Sequence, residues 1–145
     1  MTLSKACEHG IRATLYIAQQ SVLIERASLK DIALEIDAPE AFTAKILQQL
    51  VRQGIISSIQ GPKGGFSMSK KAIKELKLIQ IIHAIDGDAF EKKCVLGLKQ
   101  CAETSPCPVH DQFKHIKKDY LQMLQKTTIH KMISSLNEGI SCLKL

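Results

Sequence analysis

Three cysteines stand close together in the second half of the chain, and a histidine follows the last of them. They are Cys94, Cys101, Cys107 and His110, with the spacing C-x6-C-x5-C-x2-H. Thiolates are soft ligands that select zinc, copper(I) or iron–sulfur clusters, so this group predicts a soft-metal centre. Structural zinc sites commonly use closer pairs of ligands, and the longer gaps therefore favour a polynuclear cluster without excluding zinc.

The residues around the cysteines suit such a centre. Glycine and proline interrupt regular structure here, so the backbone can bend several sulfurs toward one point. Lys92, Lys93 and Lys99 flank the cysteines and should favour thiolates and an anionic cluster. Pro108 suits the first position of a helix, which would place His110 in the first turn. The alternative is a reduced loop without a metal, whose cysteines are only redox-reactive or incidental.

Charge and apolar content limit the possible classes of protein. The 145 residues carry a formal net charge of +6, and residues 1–77 hold 11 basic against 7 acidic side chains. A basic surplus favours an anionic partner, usually nucleic acid. No apolar run approaches the ~20 residues that span a bilayer, and no signal-peptide cleavage pattern follows the first helix. We therefore expect a cytoplasmic protein with reduced cysteines, in which Cys7 and Cys142 are small buried hydrophobes or spare thiols.

Helical periodicity and capping signals in the first half predict a helix-turn-helix. A long first helix is followed by a short helix capped by Ser28, a turn at Pro39 and a second short helix ended by Gly54. Two short helices joined by a tight turn after a longer one are the outline of this motif. The predicted outer face of the second short helix is Glu40, Ala41, Thr43, Ala44, Lys45, Gln48 and Gln49.

The pattern then changes to a β-hairpin. Residues 55–59 and 66–69 are extended in character, and the turn between them is rich in glycine with Lys63 at its tip. Beside a helix-turn-helix such a hairpin reads as a wing. Leu78, Ile82 and Ile85 predict another helix, closed by Gly87.

Residues 109–127 carry apolar side chains at alternating spacings of four and three. This is the a/d pattern of a coiled coil, so we predict a dimerisation helix, with an ordinary core-packed helix as the alternative. Thr128 is placed to cap a last short helix. The predicted fold class is mostly α with a small β wing. It comprises a winged helix-turn-helix (residues 1–87), a cysteine-rich cluster-binding loop (88–108), and a dimerisation helix with a C-terminal segment (109–145).

Taken together, these motifs resemble the IscR- and NsrR-type winged-helix transcriptional regulators. The matching stretches are Leu3-Ser4, Glu8-His9-Gly10-Ile11-Arg12-Ala13, Ser28-Leu29-Lys30-Asp31-Ile32-Ala33, Lys45-Ile46-Leu47-Gln48-Gln49-Leu50, Gly61-Pro62-Lys63-Gly64-Gly65-Phe66 and Ala84-Ile85-Asp86-Gly87, followed by the three cysteines in order. The resemblance covers nearly the whole chain, and the combination is specific. It implies a homodimer that binds pseudo-palindromic promoter DNA and senses iron–sulfur status, redox state or nitric oxide through one iron–sulfur cluster per subunit.

The resemblance offers two candidates for the fourth cluster ligand. In IscR-like members a histidine three residues after the last cysteine completes the set, and His110 stands in that position. In NsrR-like members an acidic residue of the partner subunit's first helix does so, and Glu8 corresponds to it. His110 is ranked first. The favoured cluster is [2Fe-2S]. The gap from Cys94 to Cys101 is one residue longer than usual in the family, which leaves [4Fe-4S] possible.

The resemblance also indicates which side chains would contact DNA. The candidates are Thr43, Lys45 and Gln48 in the major groove, Gln60 and Lys63 on the wing, and Lys30 and Arg12 on the phosphate backbone. Two residues depart from the family pattern. Gln60 stands where many members have an arginine, and Glu40 lies in the first turn of the recognition helix. Glutamine can read an adenine edge and an acid can accept from cytosine, but neither attracts phosphate, so affinity or operator could differ.

Two other classes of function compete. The first is a cluster-free regulator of cysteine metabolism that acts through a partner protein. The second is a small iron–sulfur redox protein or an enzyme. The sequence has no glycine-rich nucleotide loop, no paired catalytic carboxylates and no second cysteine set, so we do not expect an enzyme.

Overall fold

The chain is mostly helical with one small antiparallel sheet, as the sequence predicts. The computed structural model describes residues 3–92, 94, 96–98 and 103–143. The elements run in the order α1 (Lys5–Val22), α2 (Leu29–Ile36), α3 (Glu40–Arg52), β1 (Ser57–Ile59), β2 (Gly65–Ser67), α4 (Lys70–Glu75), α5 (Leu78–Asp86), α6 (Ala89–Lys92), α7 (His110–Lys126) and α8 (Ile129–Asn137). The short helices α4 and α6 were not predicted from the sequence.

Local capping contacts define the helix-turn-helix formed by α2 and α3. The Ser28 hydroxyl accepts a hydrogen bond from the Asp31 amide at 3.1 Å, so the predicted N-cap is confirmed. At the end of α3, Gly54 has φ +70° and the Ile55 amide donates to the Leu50 carbonyl at 3.0 Å. This hydrogen bond with a left-handed glycine is a Schellman ending, and the predicted stop at Gly54 is confirmed.

The wing is a two-stranded hairpin fixed to the start of the helix-turn-helix. Ser58 in β1 lies opposite Phe66 in β2. Phe66 also exchanges two backbone hydrogen bonds with Ala27, at 3.0 and 2.8 Å. Gly65 has φ +132°, and a Cβ built on it would lie 2.7 Å from the Ala27 carbonyl oxygen. Glycine is therefore required for the wing to approach the segment before α2.

One apolar core joins the first helices to the last one. Leu15 of α1, Ile32 of α2, Leu47 of α3 and Ile129 of α8 are fully buried in the same cluster. The Thr128 hydroxyl accepts from the Lys131 amide at 3.2 Å, which confirms the predicted cap of α8. The C-terminal helix thus packs against the winged helix-turn-helix and does not extend α7.

The long helix α7 packs on α5 through one edge and leaves apolar side chains exposed along another. Leu124 is buried beside Leu78 and Ile82 of α5. In contrast, Ile116 and Met123, two positions of the predicted coiled-coil seam, are 52% and 47% exposed. Helix α7 therefore carries both a packed edge and an uncovered apolar face. Within the described residues, no helix is both long and apolar enough to cross a membrane.

Candidate nucleic-acid interface and metal centre

Helix α3 presents a polar stripe to solvent on the side opposite the core. Ala41, Lys45, Gln48 and Arg52 are all exposed, and their spacing of three to four residues places them on one face. Ile46 and Leu47 point the other way into the core. Lys45 and Gln48 thus lie on the outer face of α3, as predicted from the sequence. Arg52 was not among the predicted residues, although its position one turn after Gln48 is a sequence signal that could have found it.

Two residues assigned to this outer face lie elsewhere, so their assignment to it was wrong. Thr43 is fully buried, and its hydroxyl donates to the Pro39 carbonyl at 3.0 Å. The amide of Gln49 donates to the backbone carbonyl of Ala84 at 2.8 Å, at the end of α5. The cause is the helical phase, because positions 43, 46, 47 and 50 form the inner face and position 49 faces α5. In this arrangement Thr43 is not available to a base edge.

A groove separates the recognition helix α3 from the wing. It has a volume of about 560 Å³, and residues from both sides line it, including Gln48, Arg52, Gln60 and Ser28. The structure thus brings Gln48 and Gln60 together, although the sequence separates them by 12 positions. Lys63 is exposed at the wing tip, outside this lining. The groove offers amide and guanidinium groups, which suit base edges and phosphates.

The turn between α2 and α3 has a different charge. Lys30, in the first turn of α2, is exposed and lines a shallow concavity that extends to this turn and is shared with Asp31, Asp37 and Glu40. A phosphate approaching this end meets one cation among three carboxylates. The positive charge of the helix-turn-helix is therefore concentrated toward Lys45, Arg52 and the wing.

Arg12 lies away from the groove between α3 and the wing. Its guanidinium Nη2 is 2.7 Å from Nδ1 of His9, and the His9 ring packs edge-on against Phe42 of α3 with centroids 5.6 Å apart. Arg12 also lines a separate concavity with Tyr16 and Glu35. A role of Arg12 on the DNA backbone remains a prediction.

In the cysteine-rich loop, two of the three predicted thiol ligands can be described. Cys94 and Cys107 are free and half-buried, whereas Cys101, Lys93 and Lys99 lie outside the described residues. Among the residues that are described, no three His, Cys, Asp or Glu side chains are gathered for a metal ion. The described part of the loop thus supplies thiol groups that suit a metal, but the described residues do not form a complete metal site.

The histidine candidate is tied to the last cysteine. The His110 amide donates to the Cys107 carbonyl at 3.0 Å, and His110 is the first residue of α7. The helix therefore begins two residues after Pro108, the predicted first position, because a tight turn spans residues 107–110. Since the N-terminus of a helix carries partial positive charge, it favours an anionic group beside these residues.

Two lysines near the loop are engaged by carboxylates. The Lys92 ammonium lies 2.9 Å from the Asp88 carboxylate, so this partner shares the charge that was predicted to favour thiolates. Lys114 of α7 lies 2.5 Å from Glu103. The hydrogen bond and charge of Lys114 lower the pKa of the Glu103 carboxyl. This ion pair connects the segment between the second and third cysteines to α7.

The acidic candidate, Glu8, lies on α1. Its carboxylate is 2.7 Å from the Lys5 ammonium, whose hydrogen bond lowers the pKa of Glu8. It is therefore ionised and able to act as an oxygen ligand near neutral pH. The neighbouring Cys7 is fully buried, and desolvation together with the charge of Asp86 raises its pKa to about 12. Cys7 is thus a neutral core thiol, whereas Cys142 is exposed.

The donor set fits a soft-metal centre chemically. Free thiols at Cys94 and Cys107, an imidazole at His110 and a carboxylate at Glu8 are all ligands that iron or zinc accepts. These residues therefore fit the cofactor by the type of ligand atom that they supply.

The fold and the exposed side chains of α3 define a broad class of protein. A helix-turn-helix with Lys45, Gln48 and Arg52 exposed beside a glycine-rich wing is a DNA-binding winged-helix module. Comparison with known proteins then identifies the family. Residues 3–135 match the Rrf2 family model, described as an iron-dependent transcriptional regulator, and the chain belongs to this family. It is accordingly a transcriptional regulator that binds DNA, and it is not an enzyme. The predicted resemblance is confirmed.

Individual relatives agree along almost the full length. The chain is 29% identical over 137 residues to an HTH-type transcriptional regulator of Aquifex aeolicus, covering 92% of each chain. Among solved structures, it resembles CymR, the global cysteine regulator of B. subtilis, with a TM-score of 0.75, 19% identity, and coverage of 92% of this chain and 97% of that one. It also resembles T. potens IscR with a TM-score of 0.73, 19% identity, and coverage of 99% and 94%. At these identities the two structures establish the shared fold.

Proposed function

We propose that this protein is a homodimeric regulator that binds promoter DNA and adjusts its affinity through an iron–sulfur cluster in the cysteine-rich loop. The sensed quantity would be iron–sulfur status, redox state or nitric oxide. The observation that carries this proposal is the pair of free, half-buried thiols, Cys94 and Cys107, with His110 at the start of α7. A structural disulfide or a buried core role would have left no such donors.

The DNA-binding part of the proposal assigns roles by position. Lys45, Gln48 and Arg52 would enter the major groove or contact its phosphates, while Gln60 and Lys63 would contact the sugar–phosphate backbone or minor groove from the wing. Phosphate contacts release counterions. The affinity for a duplex that the protein selects from a random-sequence library should therefore fall steeply with added salt. A flat salt dependence would contradict these assignments.

A homodimer would cover the apolar face of α7. Ile116 and Met123 are about half exposed, and they lie seven residues apart on the predicted seam. We expect Ile116→Glu to shift the protein toward monomer in analytical ultracentrifugation, because a charge would be buried in the seam. Gln122→Glu adds the same charge on α7 at an exposed position away from that seam and should leave the dimer intact. A wild-type monomer at micromolar concentration would refute the dimer.

Cys94, Cys101 and Cys107 would supply the thiolates that hold the cluster. When bound, the cluster supplies a centre that oxidation, nitrosylation or loss can change. The chain's own contribution is to present the thiols from a loop attached to α7 by the ion pair between Glu103 and Lys114. Order in this loop would then depend on ligation, since metal binding and folding of a site are coupled.

Anaerobic purification tests the cluster directly. Wild-type protein should be coloured and contain iron and sulfide, and Cys101→Ala should lose both. Cys142→Ala removes an exposed thiol outside the loop and is the matched control that should keep the colour. Promoter affinity should differ between the loaded and the cluster-free wild type. Colourless wild-type protein would refute the sensing proposal.

The same preparation decides the fourth ligand. If His110 completes the set, His110→Ala loses the cluster or shifts its spectrum, whereas Glu8→Ala does not. If the partner subunit's first helix provides it, the result reverses. We favour His110 because its backbone amide donates a hydrogen bond to the Cys107 carbonyl in the same turn.

A cluster-free regulator of cysteine metabolism that acts through a partner protein is the second candidate. It is supported by the structural similarity to CymR, the global cysteine regulator of B. subtilis. The expected result for this candidate is colourless anaerobic protein with intact DNA binding, and with affinity unchanged when all three loop cysteines are replaced.

A further inference from the structure

The last turn of α5, residues 83–86, touches three other parts of the molecule. We call it the hub turn. Its carbonyl groups face the recognition helix, its carboxylate faces the start of α1, and its imidazole faces α6. Each of these contacts involves a different residue of the turn, so a displacement of the turn would be felt by all three elements.

The first contact joins the hub turn to the recognition helix. The side-chain amide of Gln49 donates to the carbonyls of Ala84 and Ile85 at 2.8 and 3.3 Å. Carbonyls at a helix end lack partners within the helix, so an external donor is particularly effective there. Gln49 is half-buried, on α3 directly beside the exposed Gln48. The position of this end of α3 is therefore linked to the end of α5.

The second contact joins the hub turn to α1. The Asp86 carboxylate accepts from the Ser4 amide at 3.0 Å and from the Ser4 hydroxyl, and Ser4 is the N-cap of α1. Close packing adds to this connection. A Cβ built on Gly10 would lie 2.1 Å from Cδ1 of Ile85 and 3.3 Å from Cγ2 of Ile46. Helices α1, α3 and α5 thus meet at this point with no room for even one additional methyl group.

The third contact joins the hub turn to the cysteine-rich loop. Nε2 of His83 lies 2.5 Å from the Glu91 carboxylate. Glu91 belongs to α6, and Cys94 follows three residues later. The backbone between the hub turn and α6 is short, with the Glu91 amide donating to the Asp88 carbonyl at 3.1 Å. Only a few residues separate Cys94 from the hub turn, so a displacement of Cys94 should also displace the hub turn.

We propose that the hub turn transmits the state of the cysteine-rich loop to the recognition helix, and that Gln49 is the positioning residue at the DNA-binding end of this route. The inference rests on the proposed cluster, because it assigns the path by which that cluster would alter DNA affinity. Ligation that fixes Cys94 would displace α6, and the pair of His83 and Glu91 would carry this displacement to the hub turn. The Gln49 amide then moves α3 with the carbonyls it binds.

The test is the ratio of promoter dissociation constants between cluster-loaded and cluster-free protein, taken as the larger value divided by the smaller. Gln49→Met keeps the length of the side chain and removes its donor. We expect it to lower this ratio about fivefold, the equivalent of one net hydrogen bond. Gln49→Glu should lower it at least as far, because a carboxylate is repelled by carbonyls at a helix C-terminus. Iron content and the visible spectrum should stay unchanged in both variants.

Gln53→Met is the matched control. It makes the same substitution at an exposed residue directly after α3 and should keep the wild-type ratio. An unchanged ratio in Gln49→Met with full cluster loading would overturn the inference alone. A wild-type ratio of one, or colourless wild-type protein, would instead overturn the proposed function.

A second measurement uses cluster-free protein only. If Gln49 holds the hub turn, Gln49→Met should speed amide hydrogen exchange at Gly87 and Glu91, whose amides donate within residues 83–91. Exchange in α2 should not change. Melting temperatures monitor folding of each variant, and unchanged exchange at both amides would contradict the proposal even if DNA binding could not be measured.

Discussion

The winged helix-turn-helix and the cysteine-rich loop are held in place by different means. In the first region, helices begin and end at capping residues, and Leu15, Ile32 and Leu47 are fully buried. In the loop, the described apolar side chains Leu96 and Leu98 are 54% and 53% exposed. Capping and burial thus hold the DNA-reading surface, whereas the described part of the loop shows little buried apolar area. This difference agrees with the proposal that a ligand holds the loop in place, while the winged helix-turn-helix needs none.

The largest expected effect tests this contrast through stability. Leu47→Ala removes a fully buried side chain of α3 and should lower the free energy of unfolding of cluster-free protein by about 2–5 kcal/mol. Cys107→Ser in the loop should change it by less than about 0.5 kcal/mol, because this half-buried side chain lies outside the apolar core. Chemical denaturation of both variants measures the two values. A comparable loss in Cys107→Ser would show that the loop supports the fold without a ligand.

The next effect compares the buried thiol of Cys7 with the exposed thiol of Cys142. Because desolvation and Asp86 raise the pKa of Cys7 from 9.0 to about 12, the folded protein keeps this thiol neutral at a pH where the unfolded chain ionises it. The contribution of the neutral Cys7 thiol to the free energy of unfolding is therefore fully present below pH 9, and it is lost as the pH rises toward 12. At pH 10 the loss is about 1.4 kcal/mol relative to neutral pH.

Cys7→Ala should therefore lose less stability than the wild type between pH 8 and pH 10, by about that amount. Urea denaturation at the two values of pH measures it. Cys142→Ala is the control, since this thiol is exposed and should leave the wild-type pH dependence unchanged. Equal slopes for Cys7→Ala and the wild type would show that Cys7 ionises as readily in the folded chain as in the unfolded one.

Features governed by neighbours in sequence were predictable from the sequence. The caps at Ser28 and Thr128, the stop at Gly54 and the turn at Gly87 each depend on side chains or backbone angles within a few residues. The wing follows from the same kind of signal. Helix α4 could have been found in this way as well, because Ser69 caps it through the Ala72 amide at 3.0 Å.

The N-cap of α2, Ser28, is one of these local signals and can be tested by substitution. Ser28→Ala removes the cap of α2 and should cost about 1 kcal/mol of stability, measured by thermal unfolding. Ser105→Ala makes the same change at an exposed serine of the cysteine-rich loop and should cost almost nothing. Equal effects would remove the distinction between a capped region and a loop without such support.

Features that depend on which elements meet across the chain were not predictable. Gln49 is a polar residue of an amphipathic helix, and its polarity alone placed it on the outer face. Thr43 differs, because its spacing from Ile46 and Leu47 already puts it on the inner face. Only the packing of α5 against α3 shows that Gln49 faces Ala84, 35 residues away. The cysteines differ again, because their chemistry was evident from residue type and spacing, while neither signal predicts how their side chains are arranged in space.

Arg52 gives the smallest of the expected effects and the sharpest test of the reading surface. It lies on the same stripe as Lys45 and Gln48 and lines the groove beside Gln60, so a phosphate contact is its natural role. Arg52→Ala should weaken binding to the selected duplex about fivefold and reduce the slope of log affinity against log salt by about 1. Lys131→Ala removes an exposed cation on α8 and should change neither quantity. Because the guanidinium contributes no base contact in this assignment, the loss should be equal for the selected duplex and for one of scrambled sequence. A loss confined to the selected duplex would instead make Arg52 a base-reading residue and extend the specific surface from α3 into the groove beside the wing.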